Sequence, residues 1–252
     1  MALLPQLGRG FRRTVAVGAV AGAGLASYAA WEARQYTLRR VTVPLLPAGH
    51  APLRVLHLSD IHMAPGQRAK QEWLRGLADL GPDLVVNTGD NLSHMRSVPV
   101  VADALGGLLD VPGVYVLGSN DYYAPGLRNP LRYLLPDTGK RNTSTPQLPW
   151  PELKDRFGAA GWVDLTNGFG SLTVGGTSIA FAGVDDPHLK YDDLAPARAR
   201  GLHRHPADSA PGDDRSAWLH VSAGLGTNPY VRFRVACRHE ATLMTLVPAT
   251  GA

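Results

Sequence analysis

Residues 54–62 read RVLHLSDIH, a short apolar run that stops at an Asp-x-His pair. Two later stretches repeat the arrangement. DLVVN (83–87) runs into Thr88-Gly89-Asp90-Asn91, and VYVL (114–117) runs into Gly118-Ser119-Asn120-Asp121. Apolar runs of this length, bounded by polar turn residues, predict buried strands. Between the first two, Trp73, Leu74, Leu77 and Leu80 keep helical spacing within Gln67–Leu80. Between the second and third, Val101, Leu105, Leu108 and Leu109 do the same. A strand–helix–strand–helix–strand order predicts an α/β fold around a parallel sheet.

Downstream the texture changes. Tyr122 to Pro151 holds six prolines and a polar stretch from Asp137 to Pro146, which predicts a long surface excursion or a substrate-selecting loop. Glu152–Ala160 is a short helix candidate. Ser171–Val174 and Ser178–Val184, separated by Gly175-Gly176-Thr177, predict a hairpin. Ala195–Arg215 is polar and Pro-punctuated and predicts loop. The chain closes with strands at Trp218–Ser222, Val231–Cys237 and Ala241–Val247, the last two joined through Arg238-His239-Glu240.

Upstream lies a different kind of segment. Of the 25 basic residues, six are arginines within residues 1–40 (Arg9, Arg12, Arg13, Arg34, Arg39 and Arg40), opposed there only by Glu32. The formal net charge of +4 is therefore a property of the N-terminus, and residues 41–252 come close to neutral. A nucleic-acid-binding face is not expected on such a domain. Thr14–Trp31 is free of charge, and it follows Arg9, Arg12 and Arg13. That pattern predicts either a single membrane anchor (a transmembrane helix) or a twin-arginine-type export signal, with residues 41–53 as a Pro-punctuated linker into a domain spanning 54–252. A hydrophobic content of 44% excludes general disorder, and the lone Cys237 excludes a disulfide framework or a multi-cysteine metal site. Cys237 itself reads as a small buried strand residue.

The chemistry-bearing residues sit where the predicted strands end: Asp60 and His62, then Asp90, then Asn120 and Asp121. In an open parallel sheet the C-terminal ends of the strands converge on the ligand-binding edge. Carboxylates with an imidazole offer a mixed oxygen and nitrogen donor set, which suits Mn, Fe, Zn or Co better than Ca. Taken singly, Asp60 reads as a helix cap and Asp90 as a turn residue. His57, inside the first strand, reads as a packed core histidine.

Ser59-Asp60-Ile61-His62, Gly89-Asp90-Asn91 and Gly118-Ser119-Asn120-Asp121-Tyr122, in that order, resemble the opening motifs of the calcineurin-like metallophosphoesterases, in particular membrane-anchored or exported bacterial members. The resemblance implies a four-layer α/β/β/α sandwich and a centre of two divalent metal ions. Asp60 and His62 would bind the first ion and Asp90 would bridge both. Asn120 would serve the second, and Asp121 would orient its neighbour. The implied activity is hydrolysis of a phosphate mono- or diester by a metal-bridging hydroxide. A lipid-linked phosphate would match an anchored enzyme in location. The third motif departs from the family's usual Gly-Asn-His-Asp, with Ser119 in the Asn column and Asn120 in the His column. The later histidine motifs are missing, as if the chain and its second sheet were shortened near residues 193–197. His188 is the best-placed substitute ligand, while His203 and His205 read as solvated loop residues. The alternatives are an inactive relative with an incomplete metal site and a membrane-tethered binding module.

Overall fold

The computed structural model describes residues 9–126, 143–186, 189, 201–205, 217–221 and 239–248. In chain order the strands are β1 (Tyr36–Leu46), β2 (Leu53–Leu58), β3 (Leu84–Asn87), β4 (Gly113–Tyr115), β5 (Val163–Asp164), β6 (Gly168–Val174), β7 (Thr177–Gly183), β8 (Gly201–His205), β9 (Ala217–Val221) and β10 (His239–Pro248). The helices are α1 (Arg9–Glu32), α2 (Arg68–Gly76), α3 (Ser97–Leu105), the single turn α4 (Ser119–Tyr122) and α5 (Trp150–Ala159). Six strands form one sheet in the order β1-β10-β2-β3-β4-β5. The run β2 to β5 is parallel, as the sequence predicts. β10 enters antiparallel to β2 and carries β1 parallel to itself on the outer edge.

Alternation across this sheet builds two cores. Leu56, Val85, Tyr115 and Leu243 face the helices and meet Leu74 of α2, Val98, Val101 and Leu105 of α3, and Leu153 and Phe157 of α5. Their strand neighbours Val55, Leu84, Val86 and Met244 face the other way, onto Val174, Leu172, Ile179 and Phe181 of the β6–β7 hairpin. Strands covered on both faces explain why the runs read as continuously apolar. Among the described residues, helices, main sheet and hairpin are three successive layers of a mixed α/β fold. Among the described residues the expected second sheet is the two-stranded β6–β7, with β8–β9 forming a separate pair.

Several expectations need correction. Residues 41–46 are not linker, because they complete β1, whose Val43 and Leu46 are buried. Pro44 hid the strand, yet an edge strand tolerates a residue that cannot donate to a ladder. His239 and Glu240 are not a turn: they open β10 opposite Tyr36 and Thr37, and both are buried. β8 crosses the stretch read as loop, while residues 231–238, including Cys237, lie outside the described set.

Among the described residues no helix is long and apolar enough to cross a membrane. α1 is long, but glycine and alanine dominate its uncharged stretch and dilute its hydropathy. Its C-terminal end docks on the domain. Ala29 and Glu32 are buried, His239 Nε2 lies 2.8 Å from the Ala33 carbonyl oxygen, and the Tyr36 ring stacks between Trp73 and His239.

Candidate metal centre

Past the ends of β2 and β3 the backbone keeps pairing. The N–H groups of Asp60, His62 and Met63 donate to the carbonyls of Gly89, Asp90 and Asn91 at 3.0, 2.9 and 2.7 Å. To keep those bonds while the strands open, three residues turn left-handed: Asp60 (φ 51°), His62 (φ 43°) and Asp90 (φ 56°). Positive φ is uncommon outside glycine and concentrates at functional sites. Here it falls on the three residues whose side chains converge. One ligand atom from each of Asp60, His62 and Asp90 lies within 4.8 Å of the others.

His62 Nε2 stands 3.6 Å from Asp90 Oδ2 and 4.0 Å from Asp60 Oδ1. Its other nitrogen, Nδ1, lies 3.3 Å from Ser93 Oγ, a partner that steers the ring and leaves Nε2 to face the carboxylates. Ser59 Oγ donates to Asp60 Oδ2 at 2.5 Å. The Asp60 side chain is 40% exposed against 14% for Asp90, so the cluster opens to solvent on the Asp60 side. Beneath it the buried Lys70 ammonium donates to the carbonyl of Ile61 at 2.7 Å and to that of His62 at 3.5 Å, tying the left-handed turn to α2.

The third strand end completes the frame. Asn120 gives its backbone N–H to Asp90 Oδ1 at 2.8 Å and its side-chain amide to Asp90 Oδ2 at 2.5 Å. It therefore stands as a donor that orients Asp90, whereas ligation would use the opposite atom of that amide, Oδ1. Asp121 is fully buried. Its carboxylate accepts the N–H groups of Asn91, Leu92 and Gly118 at 2.7, 2.9 and 3.0 Å, and so joins the second strand end to the third. Burial first, and the nearby Asp90 charge second, push its pKa up to about 7. Ser119 Oγ is buried and has no hydrogen-bond partner among the described residues.

Two carboxylates and an imidazole at this spacing fit a divalent cation, and the mixed donor set favours the transition metals over calcium. The calcineurin-like phosphoesterase family model matches residues 53–228, and the chain belongs to that family. No curated protein matches the chain.

Of the predicted residues, the structure brings Asp60, His62, Asp90 and Asn120 together and sets Asp121 behind them. His57 is the core histidine expected, with Nε2 2.9 Å from Thr88 Oγ1. His188 and the 193–197 junction lie outside the described residues. Sequence reasoning missed Lys70, Ser93 and the pair Asp185-Asp186 at the end of β7. A lysine two residues into an amphipathic helix carries no local mark of burial, though Gly183-Val184-Asp185-Asp186 repeats the pattern of a strand ending in carboxylates.

Proposed function

We propose that this chain hydrolyses a phosphate mono- or diester with the help of divalent metal held by Asp60, His62 and Asp90. A bound cation of this kind supplies Lewis-acid character, lowering the pKa of water and offsetting charge on a phosphoryl group. The chain's own residues do the rest. Asn120 fixes the Asp90 carboxylate through both oxygens, Ser93 sets the His62 ring, and Lys70 holds the turn that presents Asp60 and His62. The acidic pair at the site would repel a phosphate anion, which makes activity strictly metal-dependent. Substrate enters from the open Asp60 side.

The observation that carries this reading is the convergence of three strand-end donors, all with positive φ, in a chain of this family. The test is hydrolysis of para-nitrophenyl phosphate and its bis-ester by metal-free protein with and without added Mn²⁺. Turnover that needs Mn²⁺ and vanishes in Asp90→Ala supports the proposal. Bound metal without turnover on either ester points instead to an inactive relative.

The N-terminal arginines ahead of an uncharged stretch support export through a twin-arginine-type signal. Residues 1–40 fused to a reporter should reach the periplasm only in cells with that translocation route, and a reporter left in the cytoplasm refutes it.

A further inference from the structure

The chain leaving β7 grips α4 at both ends. Asp186 Oδ2 accepts the Ser119 N–H at 2.9 Å. Asp185 Oδ2 accepts the Tyr122 hydroxyl at 2.8 Å, and Asp185 Oδ1 accepts the Asp186 N–H at 2.7 Å. The Asp185 N–H is in turn fixed by Asn167 Oδ1 at 2.9 Å, with Asn167 itself held left-handed at φ 50°. A close backbone approach makes the grip possible. A Cβ on Gly183 would lie 2.4 Å from the Leu165 carbonyl oxygen and 2.8 Å from Val116 Cγ1, so only glycine lets the end of β7 come this near the sheet edge.

The residue after Ser119 is Asn120, whose two N–H donors hold both oxygens of Asp90. A continuous path therefore runs from Asp186 through the Ser119 amide and Asn120 to Asp90. We propose that Asp186 is a positioning residue of the metal centre: through its hydrogen bond to Ser119 it sets the Asn120 donors that orient Asp90, so the second sheet controls metal affinity without supplying a ligand. Outer partners of this kind matter nearly as much as ligands, and losing one typically weakens metal binding 10- to 100-fold. The proposal deepens the phosphoesterase reading and rests on it only for where the metal lies.

The test compares Asp186→Ala, Asp186→Asn and Asp186→Glu in the full chain by two readouts. The first is Mn²⁺ titration calorimetry, and the second is amide hydrogen exchange of residues 118–122 in metal-free protein. Asp186→Ala should raise the Mn²⁺ Kd by about 10- to 100-fold and speed exchange of the Ser119 and Asn120 amides. Asp186→Asn keeps an acceptor oxygen at the same reach and should stay within about threefold of wild type. Asp186→Glu keeps the charge but moves the oxygens, and should behave like alanine. The inference is overturned if Asp186→Ala matches wild type in both readouts. It is equally overturned if Glu rescues while Asn does not, because long-range charge would then be the cause. Wild type that binds Mn²⁺ tightly but cleaves no ester sinks the phosphoesterase reading alone, since neither readout depends on turnover.

Discussion

Gly118→Ala puts the geometry of the site under the most direct strain. Gly118 has φ −116° and ψ 169°, an extended conformation open to any residue, so the substitution carries no backbone penalty. The defect is purely one of space. An alanine Cβ would sit 2.3 Å from Asp90 Oδ1, 2.7 Å from Asp90 N and 2.9 Å from Asp90 Cγ, where ordinary contact begins at 3.4 Å. The carboxylate must retreat by about 1 Å, and disturbing the support of a metal ligand typically costs about 10- to 100-fold in affinity. It also strains the two Asn120 bonds that hold Asp90 in place. Overpacking of this kind costs about 1–3 kcal/mol of stability. We expect folded Gly118→Ala protein with a lowered melting temperature and Mn²⁺ affinity reduced about 10- to 100-fold by calorimetry. Gly158→Ala in α5 is the matched control. Nothing lies within 4 Å of its added Cβ, so it should gain about 0.5–1 kcal/mol and bind Mn²⁺ as wild type does. Gly118→Ala with a wild-type Mn²⁺ isotherm would show that Asp90 does not need its observed position.

Asp121, with a folded pKa near 7 against an ordinary 3.8, holds its proton more tightly in the fold than in the unfolded chain. Its contribution to metal-free stability is therefore full below the ordinary value and is lost as pH rises toward 7. The melting temperature at about pH 8 should fall below that at about pH 5.5, less so in Asp90→Asn, which removes the second cause of the shift. An equal fall in both proteins contradicts this. Ser119→Ala removes a buried hydroxyl with no partner among the described residues and should raise stability by about 1 kcal/mol in urea denaturation, with a loss counting against it. Lys70→Met leaves the Ile61 and His62 carbonyls without their ammonium donor, and should cost about 1.5–3 kcal/mol by the same assay.

The parallel centre of the sheet was legible because Leu56, Val85 and Val114 lie in apolar runs bounded by polar turns, a pattern set by burial on both faces. β1 was not, because Pro44 and Pro47 read as linker punctuation and its partner β10 lies about two hundred residues away in sequence. A ladder between such distant strands leaves no local mark beyond the apolar residues Leu38, Val41, Val43 and Leu46, the first two half-buried and the last two buried. In the site, Asp60, His62 and Asp90 were legible because strand ends converge by topology alone. The left-handed backbone that aims them was not, since Asp and His adopt it only when the surrounding bonds demand it. The Asp186–Ser119 and Asp185–Tyr122 contacts join residues 67 and 63 positions apart. Spacing within a motif cannot encode such contacts, because they depend on how the hairpin lies on the sheet.

The central claim is that Asp60, His62 and Asp90 together hold a divalent cation. Titration of Mn²⁺ into metal-free wild type and into Asp90→Asn tests it most directly. Wild type should bind Mn²⁺ saturably, and the variant should lose at least the roughly 100-fold that even an outer partner can cost, because its amide no longer offers an anionic oxygen facing His62 Nε2. Identical isotherms for the two proteins would contradict it.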